Sequence, residues 1–168
     1  MLNALKRRIK NEKGLTLIEL LAVVVILGII AAIAIPAIGG LIDNSKKDAH
    51  VANATQMINS AKTYVASHPN TATTDISLQN LIDQGLIDEP EDPDTGEKGT
   101  NGYDTAASKV TITKNSSTPA TVGTDGKTTA EAKAVTYSYS VLLKGKERGI
   151  TGNAGELNRD KVLAAQKR

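Results

Sequence analysis

One acidic residue, Glu19, lies directly before the most apolar stretch of the chain. Residues 20–42 contain no charge, and Leu17 and Ile18 just upstream of Glu19 are apolar as well. A carboxylate one turn inside a membrane helix costs about 2.5–3.5 kcal/mol on insertion scales. Glu19 therefore either reaches the headgroups from the membrane interface or meets a buried positive charge in an assembled state.

Asp92 and Asp94 are the other residues whose types suggest a site. They belong to the loop 83–97, which holds seven acidic residues and no basic one. Hard cations such as Ca²⁺ bind clustered oxygen ligands, which makes these two residues candidates for a metal site. Their spacing does not match an EF-hand loop. The preferred interpretation is a solvated acidic loop without a metal, and no cofactor is expected.

The sequence contains no catalytic motif. Nucleophile-elbow, zinc-protease, phosphate-loop and dinucleotide patterns are absent. His50 and His68 stand alone in the sequence and are interpreted as helix residues rather than ligands. The absence of cysteine excludes a disulfide scaffold, and 20 Lys+Arg against 18 Asp+Glu disfavours a basic nucleic-acid module. The chain is therefore predicted not to be an enzyme.

The apolar stretch is long enough to cross a membrane once. As a helix, residues 20–42 would be about 35 Å long, whereas a bilayer core is about 30 Å thick. The preceding residues 1–14 carry a net charge of +4. The positive-inside rule then keeps this leader in the cytoplasm and places the C-terminal part outside. A secretory signal peptide would have a shorter apolar stretch, and a plain signal anchor would have no use for Glu19.

The helix is predicted to continue beyond the apolar stretch, over residues 15–68. Residues 15–42 form its membrane part and 43–68 an amphipathic part, which ends before Pro69. One apolar face recurs every three or four residues along the amphipathic part. Its members are Val51, Ala54, Ile58, Ala61 and Val65.

Residues 69–168 are predicted to form a globular head, which gives an α+β fold. A short helix is expected at 77–84, with Gly85 as its C-cap. Alternating apolar residues predict antiparallel strands at 109–114 and 134–143, with a short third strand at 150–151, in a β region of about 109–151. The remaining segments are predicted to be a linker (70–75), a loop (115–129) and a terminal helix or frayed tail (156–166).

The residues around Glu19 resemble a known signature. Residues 13–21, KGLTLIELL, are similar to the prepilin signature of type IV pilins and type II secretion pseudopilins. A short basic leader ends in Gly14, an apolar residue follows, and Glu19 stands five residues past Gly14. The family usually has Phe after the cleavage site, where this chain has Leu15. A looser resemblance, over residues 77–93, is to pilins and pseudopilins of Gram-positive bacteria.

The resemblance implies specific roles for five residues. A prepilin peptidase would cut after Gly14, and the new amine on Leu15 would be N-methylated. In a filament, Glu19 would lie near the Leu15 amine of a neighbouring subunit. Gly28 and Pro36 stand where pilin helices carry Gly and Pro. They would allow a kink or local melting, because Pro lacks an N–H and Gly has a low helix propensity.

The function that the resemblance implies is that of a structural subunit of a type IV pilus or pilus-like filament. The implied partners are copies of the chain itself, minor pilins, prepilin peptidase, a platform membrane protein, an assembly ATPase and, before assembly, membrane lipid. DNA is a further candidate partner. The subunit would be a single-pass cytoplasmic-membrane protein with its head outside, and later part of an extracellular filament. The alternatives are a competence or type II secretion pseudopilin forming a short pseudopilus and, from another class, a membrane-anchored surface domain that never polymerises.

Charge is unevenly divided within the head. The loop 83–97 carries −7, whereas residues 133–168 hold eight basic and three acidic residues. One hypothesis is that the acidic loop of one subunit faces the basic C-terminal stretch of another, because apposed charges set which faces meet. Binding of DNA phosphates is the competing use of the basic stretch.

Overall fold

The computed structural model describes the backbone of residues 2–68, 71–115, 121–122, 128–130 and 135–164. It describes the side chains of these residues except 2–15, 121–122 and 128–130. The chain divides into two compact units, Met1–Asp43 and Asn44–Arg168. Helix α1, Leu2–Ser67, supplies all of the described part of the first unit and the beginning of the second. The predicted long helix is confirmed, and it begins within the basic leader.

In the first unit, α1 is apolar on all sides. Its described side chains, from Thr16 to Ile42, are exposed or half-buried, and none is buried. By length and composition this helix can cross a membrane. Since exposed apolar area of this kind is unfavourable in water, this part of α1 requires an apolar surrounding.

In the second unit, α1 is amphipathic and its apolar face packs against a sheet. The predicted stripe is confirmed, because Ala54, Ile58, Ala61 and Val65 are buried and Val51 is half-buried against the core. Met57 lies on the same face and is fully buried. Thr55, Thr63 and other polar residues occupy the solvent face of the helix.

The sheet has five antiparallel strands in the order β1-β2-β5-β6-β7, and β3 pairs separately with β4. The short helix α2, Leu78–Asp83, lies between β1 and β2. The strands are β1 Thr74–Ser77, β2 Lys109–Asn115, β3 Thr121–Val122, β4 Thr128–Ala130, β5 Thr136–Lys144, β6 Arg148–Asn153 and β7 Val162–Ala164. The predicted α+β fold is therefore confirmed.

The alternation in the sequence decides which face of the sheet is buried. Side chains two residues apart in a strand point to the same face. The buried face carries Val110 and Ile112 of β2, Val141 and Leu143 of β5, and Ile150 of β6. Polar residues such as Thr113 and Ser138 stand on the other face. Burying each of these aliphatic side chains contributes about 1.5–3 kcal/mol.

Helix α2 also agrees with its prediction. Ser77 caps it by accepting a hydrogen bond from the N–H of Asn80, and Leu78 and Leu81 are fully buried. Gly85 follows with φ at +67°, a conformation that glycine adopts without strain.

Three segments of the head differ from their predictions. The linker 70–75 contains the start of β1, the loop 115–129 contains β3 and part of β4, and the terminal helix or tail at 156–166 is instead a 3₁₀ turn, Arg159–Lys161, followed by β7. The strands concerned, β1, β3, β4 and β7, have only two to four residues each. Such strands are too short to show a period in the sequence, and pairing with a neighbouring strand defines them.

Candidate functional site

The residues predicted for cleavage and assembly all lie in α1. Gly14 and Leu15 are helical, and their side chains lie outside the described residues. Glu19 is exposed on the helix, and its neighbours Leu17, Ile18, Leu20 and Leu21 are at least 59% exposed. A carboxylate thus stands in an apolar surface, and the structure places no described residue of the first unit over it.

Gly28 and Pro36 lie further along the same helix. Pro36 is inside α1, and helical structure continues on both sides of it. A Cβ atom added at Gly28 would meet nothing within 4 Å. Gly28 is therefore not required by packing inside the subunit, and the kink or melting near these residues stays a prediction.

The head contains a buried ionic network that the sequence did not predict. Its members are Asp92 and Asp94 in the acidic loop, His50 on α1 and Arg148 on β6. His50 and Asp92 are fully buried, and the side chain of Asp94 is 1% exposed. The expectation of a solvated acidic loop is therefore wrong at these two carboxylates. An unpaired charge in the buried interior is strongly unfavourable, so burial of these carboxylates requires partners for them.

Asp94 is the centre of the network. The Arg148 guanidinium donates to both carboxylate oxygens, with Nε at 3.1 Å from Oδ1 and 2.9 Å from Oδ2. His50 Nε2 lies 3.0 Å from Oδ2, and the Lys46 ammonium lies 3.8 Å from Oδ1. The hydrogen bonds from Arg148 lower the pKa of Asp94 to about 2, although burial opposes this shift. Asp94 is therefore ionised at neutral pH.

His50 extends the network to Tyr103. His50 Nδ1 lies 2.7 Å from the Tyr103 hydroxyl, which also accepts a hydrogen bond from the Asn53 amide at 3.2 Å. The donors are all used if Tyr103 donates to Nδ1 and His50 donates from Nε2 to Asp94, which is the arrangement of a neutral imidazole. Burial raises the pKa of Tyr103, so its hydroxyl keeps its proton.

Asp92 holds the acidic loop against the turn between β5 and β6. Its Oδ1 accepts the N–H of Asp94 at 2.9 Å, and its Oδ2 accepts the N–H of Lys146 at 3.2 Å. A Cβ at Gly145 would clash with the Asp92 carboxylate and with the carbonyl of Arg148. The close approach of loop and turn therefore requires glycine at position 145.

Ligand atoms of His50, Asp92 and Asp94 lie within 4.8 Å of one another, which is a spacing that could hold a metal ion. The carboxylate of Asp94 already accepts hydrogen bonds from Arg148 and His50, and Lys46 adds a second positive charge. Every buried side-chain nitrogen or oxygen atom in the described residues has a hydrogen-bond partner. The geometry therefore favours an internal ion pair over a divalent cation, which the guanidinium would repel.

The acidic loop and the basic stretch of the head meet within one subunit. Asp94 pairs with Arg148, and Asp92 accepts the backbone N–H of Lys146. Asp94 and Arg148 are therefore not available to the hypothesis that the loop of one subunit faces the basic stretch of another. Reversing the charge of Arg148 would test the stability of the head rather than packing between subunits.

Comparison with known protein families identifies the N-terminal helix. A model described as the prokaryotic N-terminal methylation motif matches residues 9–35. The chain carries the signature of type IV pilins and pseudopilins. The match covers the residues around Gly14 and the part of the charge-free stretch up to residue 35, and none of it lies in the head. Comparisons with curated proteins and with solved structures found no match.

The prepilin signature agrees with a membrane-anchored protein that later becomes extracellular. In general it implies assembly with other pilins and processing by a prepilin peptidase. Proteins with this signature are structural subunits rather than enzymes. The buried network of the head is accordingly interpreted as a structural device that fastens the acidic loop and the β5–β6 turn to α1.

Sequence reasoning missed the network because its members are far apart in the chain: His50 and Asp94 are separated by 44 residues, and Arg148 and Asp94 by 54. One signal was present. The apolar stripe of α1, continued one turn upstream from Ala54, lands on His50. A histidine at that position of a buried face needs hydrogen-bond partners from elsewhere in the fold.

Arg148→Met is expected to lower the free energy of unfolding of the head by about 3 kcal/mol. The substitution keeps an apolar stem but leaves Asp94 buried without its main partner, and breaking a buried pair in this way typically costs about 3–5 kcal/mol. Denaturant unfolding of the full chain in detergent, followed by circular dichroism, measures the change. Arg159→Met is the matched control, because Arg159 pairs with Asp48 where both side chains are about half exposed. Equal losses for the two variants would contradict a special role for the buried pair.

Acid is expected to destabilise the head through Asp94. Its folded pKa of about 2 lies below the ordinary aspartate pKa of 3.8. This difference contributes about 2 kcal/mol at neutral pH. The contribution is fully present above about pH 4 and is lost as the pH falls through about 2. Unfolding midpoints across that range should fall less steeply for Asp94→Asn than for the native chain. A slope that is the same in both would show that other carboxylates, such as Asp48 and Asp75, carry the acid sensitivity.

Proposed function

We propose that this chain is a structural subunit of a type IV pilus or pilus-like filament. It is cut after Gly14, methylated on the amine of Leu15 and polymerised through α1. The observation that carries the proposal is the uncovered apolar part of α1, in which Glu19 is the one acidic residue between Thr16 and Ile42. Membrane lipid covers this surface before assembly, and equivalent helices of neighbouring subunits cover it afterwards.

Charge pairing gives the assembly its register. Cleavage removes the leader and its net charge of +4, so the full-chain charge of +2 becomes −2. It also creates a positive amine on Leu15, which methylation preserves. Glu19 and this amine are each unfavourable in lipid. Their desolvation cost is partly offset when Glu19 of one subunit pairs with the amine of its neighbour.

The head is the part that the filament presents to its surroundings. Its described residues hold the ionic network as a structural clamp, and we propose that the role of the head is structural rather than enzymatic. Minor pilins, the platform protein and the assembly ATPase are proposed partners on the strength of the signature alone.

Intact mass of the protein extracted from membranes tests the proposal. The expected species is residues 15–168 with one added methyl group. A chain that begins at Met1 would instead indicate a membrane-anchored surface domain. Imaging of surface filaments in the wild-type strain and a deletion strain then tests polymerisation. Long filaments that disappear on deletion support a pilus, whereas a processed subunit without long filaments supports a short pseudopilus.

A further inference from the structure

One concave surface of the head has no role in the proposed function. Two adjoining hollows of about 390 and 180 Å³ share Lys62 and Ala154. We call them together the tyrosine groove. The residues that matter to the argument are Tyr137 and Tyr139 of β5 and Lys62 and Asn59 of α1. All lie in the second unit of the chain.

Two of the four tyrosines in the chain meet in this groove. Along β5, Val141 and Leu143 are buried on the face that packs on α1. Tyr137 and Tyr139 continue the same face and are only half-buried. Part of each ring is therefore open to the groove, and aromatic faces of this kind pack well on apolar C–H surfaces.

Lys62 supplies a positive charge at the same place. Its ammonium lies 5.9 Å from the centre of the Tyr139 ring and 3.4 Å from the Asn59 side-chain oxygen. Within the described part of the chain, no carboxylate forms a salt bridge with it. Lys46 and Lys109, in contrast, each have an aspartate partner. The charge of Lys62 is thus available to an anionic ligand.

We propose that the tyrosine groove binds an acidic sugar unit of an extracellular polysaccharide. A pyranose ring has an apolar C–H face that packs on a tyrosine and a rim of hydroxyls that exchange hydrogen bonds with hydroxyl and amide side chains. Asn59, whose side-chain oxygen lies 3.4 Å from the Lys62 ammonium, provides such a group beside the rings. A uronate adds one carboxylate, and it matches the single uncompensated ammonium of Lys62.

A single-stranded nucleic acid fits this surface less well. Proteins that bind one combine aromatic platforms with a row of cations that follows the phosphates. Lys62 is the one cation among the residues that line the two hollows in the described part of the chain. The number of charges therefore favours an isolated carboxylate over a polyphosphate backbone.

The test is a titration of the full chain in detergent micelles with trigalacturonate, read by calorimetry and by amide shifts in NMR. The trimer with methyl-esterified carboxylates is the matched ligand, because it keeps the rings and removes the charge. Binding of the acid form is expected to weaken at least about fivefold in Lys62→Gln, the equivalent of about 1 kcal/mol. Lys98→Gln, an exposed lysine that does not line the groove, should leave binding unchanged.

Four results overturn the proposal. The first is the absence of trigalacturonate binding up to about 10 mM, where the free energy of binding falls below about 3 kcal/mol. The second is equal affinity for the acid and its ester, and the third is unchanged affinity in Lys62→Gln. The fourth is tighter binding of a thymidine oligonucleotide that competes for the groove.

Tyr137→Leu separates the aromatic contribution from folding. The substitution keeps an apolar side chain in place of the ring, and circular dichroism checks that the head is intact. Loss of trigalacturonate binding in a folded Tyr137→Leu variant is the expected result, and undiminished binding counts against the groove. Because the titration uses the unassembled chain, its outcome is independent of filament formation.

Discussion

Replacing Gly14 with leucine is expected to leave an uncut precursor in the membrane. A peptidase must bring the backbone of the scissile bond close to its own catalytic groups, and a bulky side chain at Gly14 obstructs that approach. Processing should fall from nearly complete to nearly absent. Intact mass of the membrane-extracted protein distinguishes the precursor, which retains residues 1–14, from the mature chain.

Gly28→Ala is the matched control for this experiment. Gly28 lies in the same helix, and a Cβ there meets nothing within 4 Å. Its processing should therefore equal that of the native chain, which separates a local effect at the cleavage site from a general effect on the helix. Normal cleavage of Gly14→Leu would remove the assignment of the cleavage site.

Glu19→Ala is expected to give a processed and stable subunit that forms few or no filaments. The substitution removes the partner of the Leu15 amine and at the same time makes the helix easier to insert into the membrane. The head is unaffected, because Glu19 belongs to the first unit of the chain. Electron microscopy of sheared surface material, with immunoblots of the membrane fraction, measures filaments and subunits separately.

Two further variants sharpen the test of Glu19. Glu19→Gln keeps the size and removes the charge, so it should fail as Glu19→Ala does. Glu19→Asp keeps the charge on a shorter side chain and should retain some filaments. Filaments of normal number and length in Glu19→Ala would contradict the docking role, whatever the state of the head.

Substitutions at Arg148 and Asp94 are expected to change the folding stability of the head, because the two residues pair inside it. From the sequence, the basic stretch 133–168 and the acidic loop appeared as two separate surface blocks. Arg148 and Asp94 instead form a pair inside the head, on which the fastening of the loop depends. A filament defect in an Arg148 variant would therefore have to be compared with its loss of folding stability before it is assigned to packing between subunits.

The sequence by itself determined the parts of this protein that rest on local patterns. A charge-free run of membrane length, the residues 13–21 and one apolar stripe along α1 were sufficient for the helix, the signature and the α+β class. Gly85 and the alternation of Val110 with Ile112 were likewise sufficient for the end of α2 and for β2. These features depend on neighbours within a few residues of each other, so their periods and spacings are visible in the chain.

Only the tertiary structure decided the edge strands and the buried network. Strands β1 and β7 have four and three residues, and pairing with β2 and β6 defines them rather than any period of their own. Asp92 and Asp94 belong to a loop whose acidic composition is typical of a solvated segment. They are nevertheless buried, because His50 and Arg148 reach them from distant parts of the chain. The burial of a charged residue depends on whether the fold brings it a partner, and residue type alone does not specify that partner.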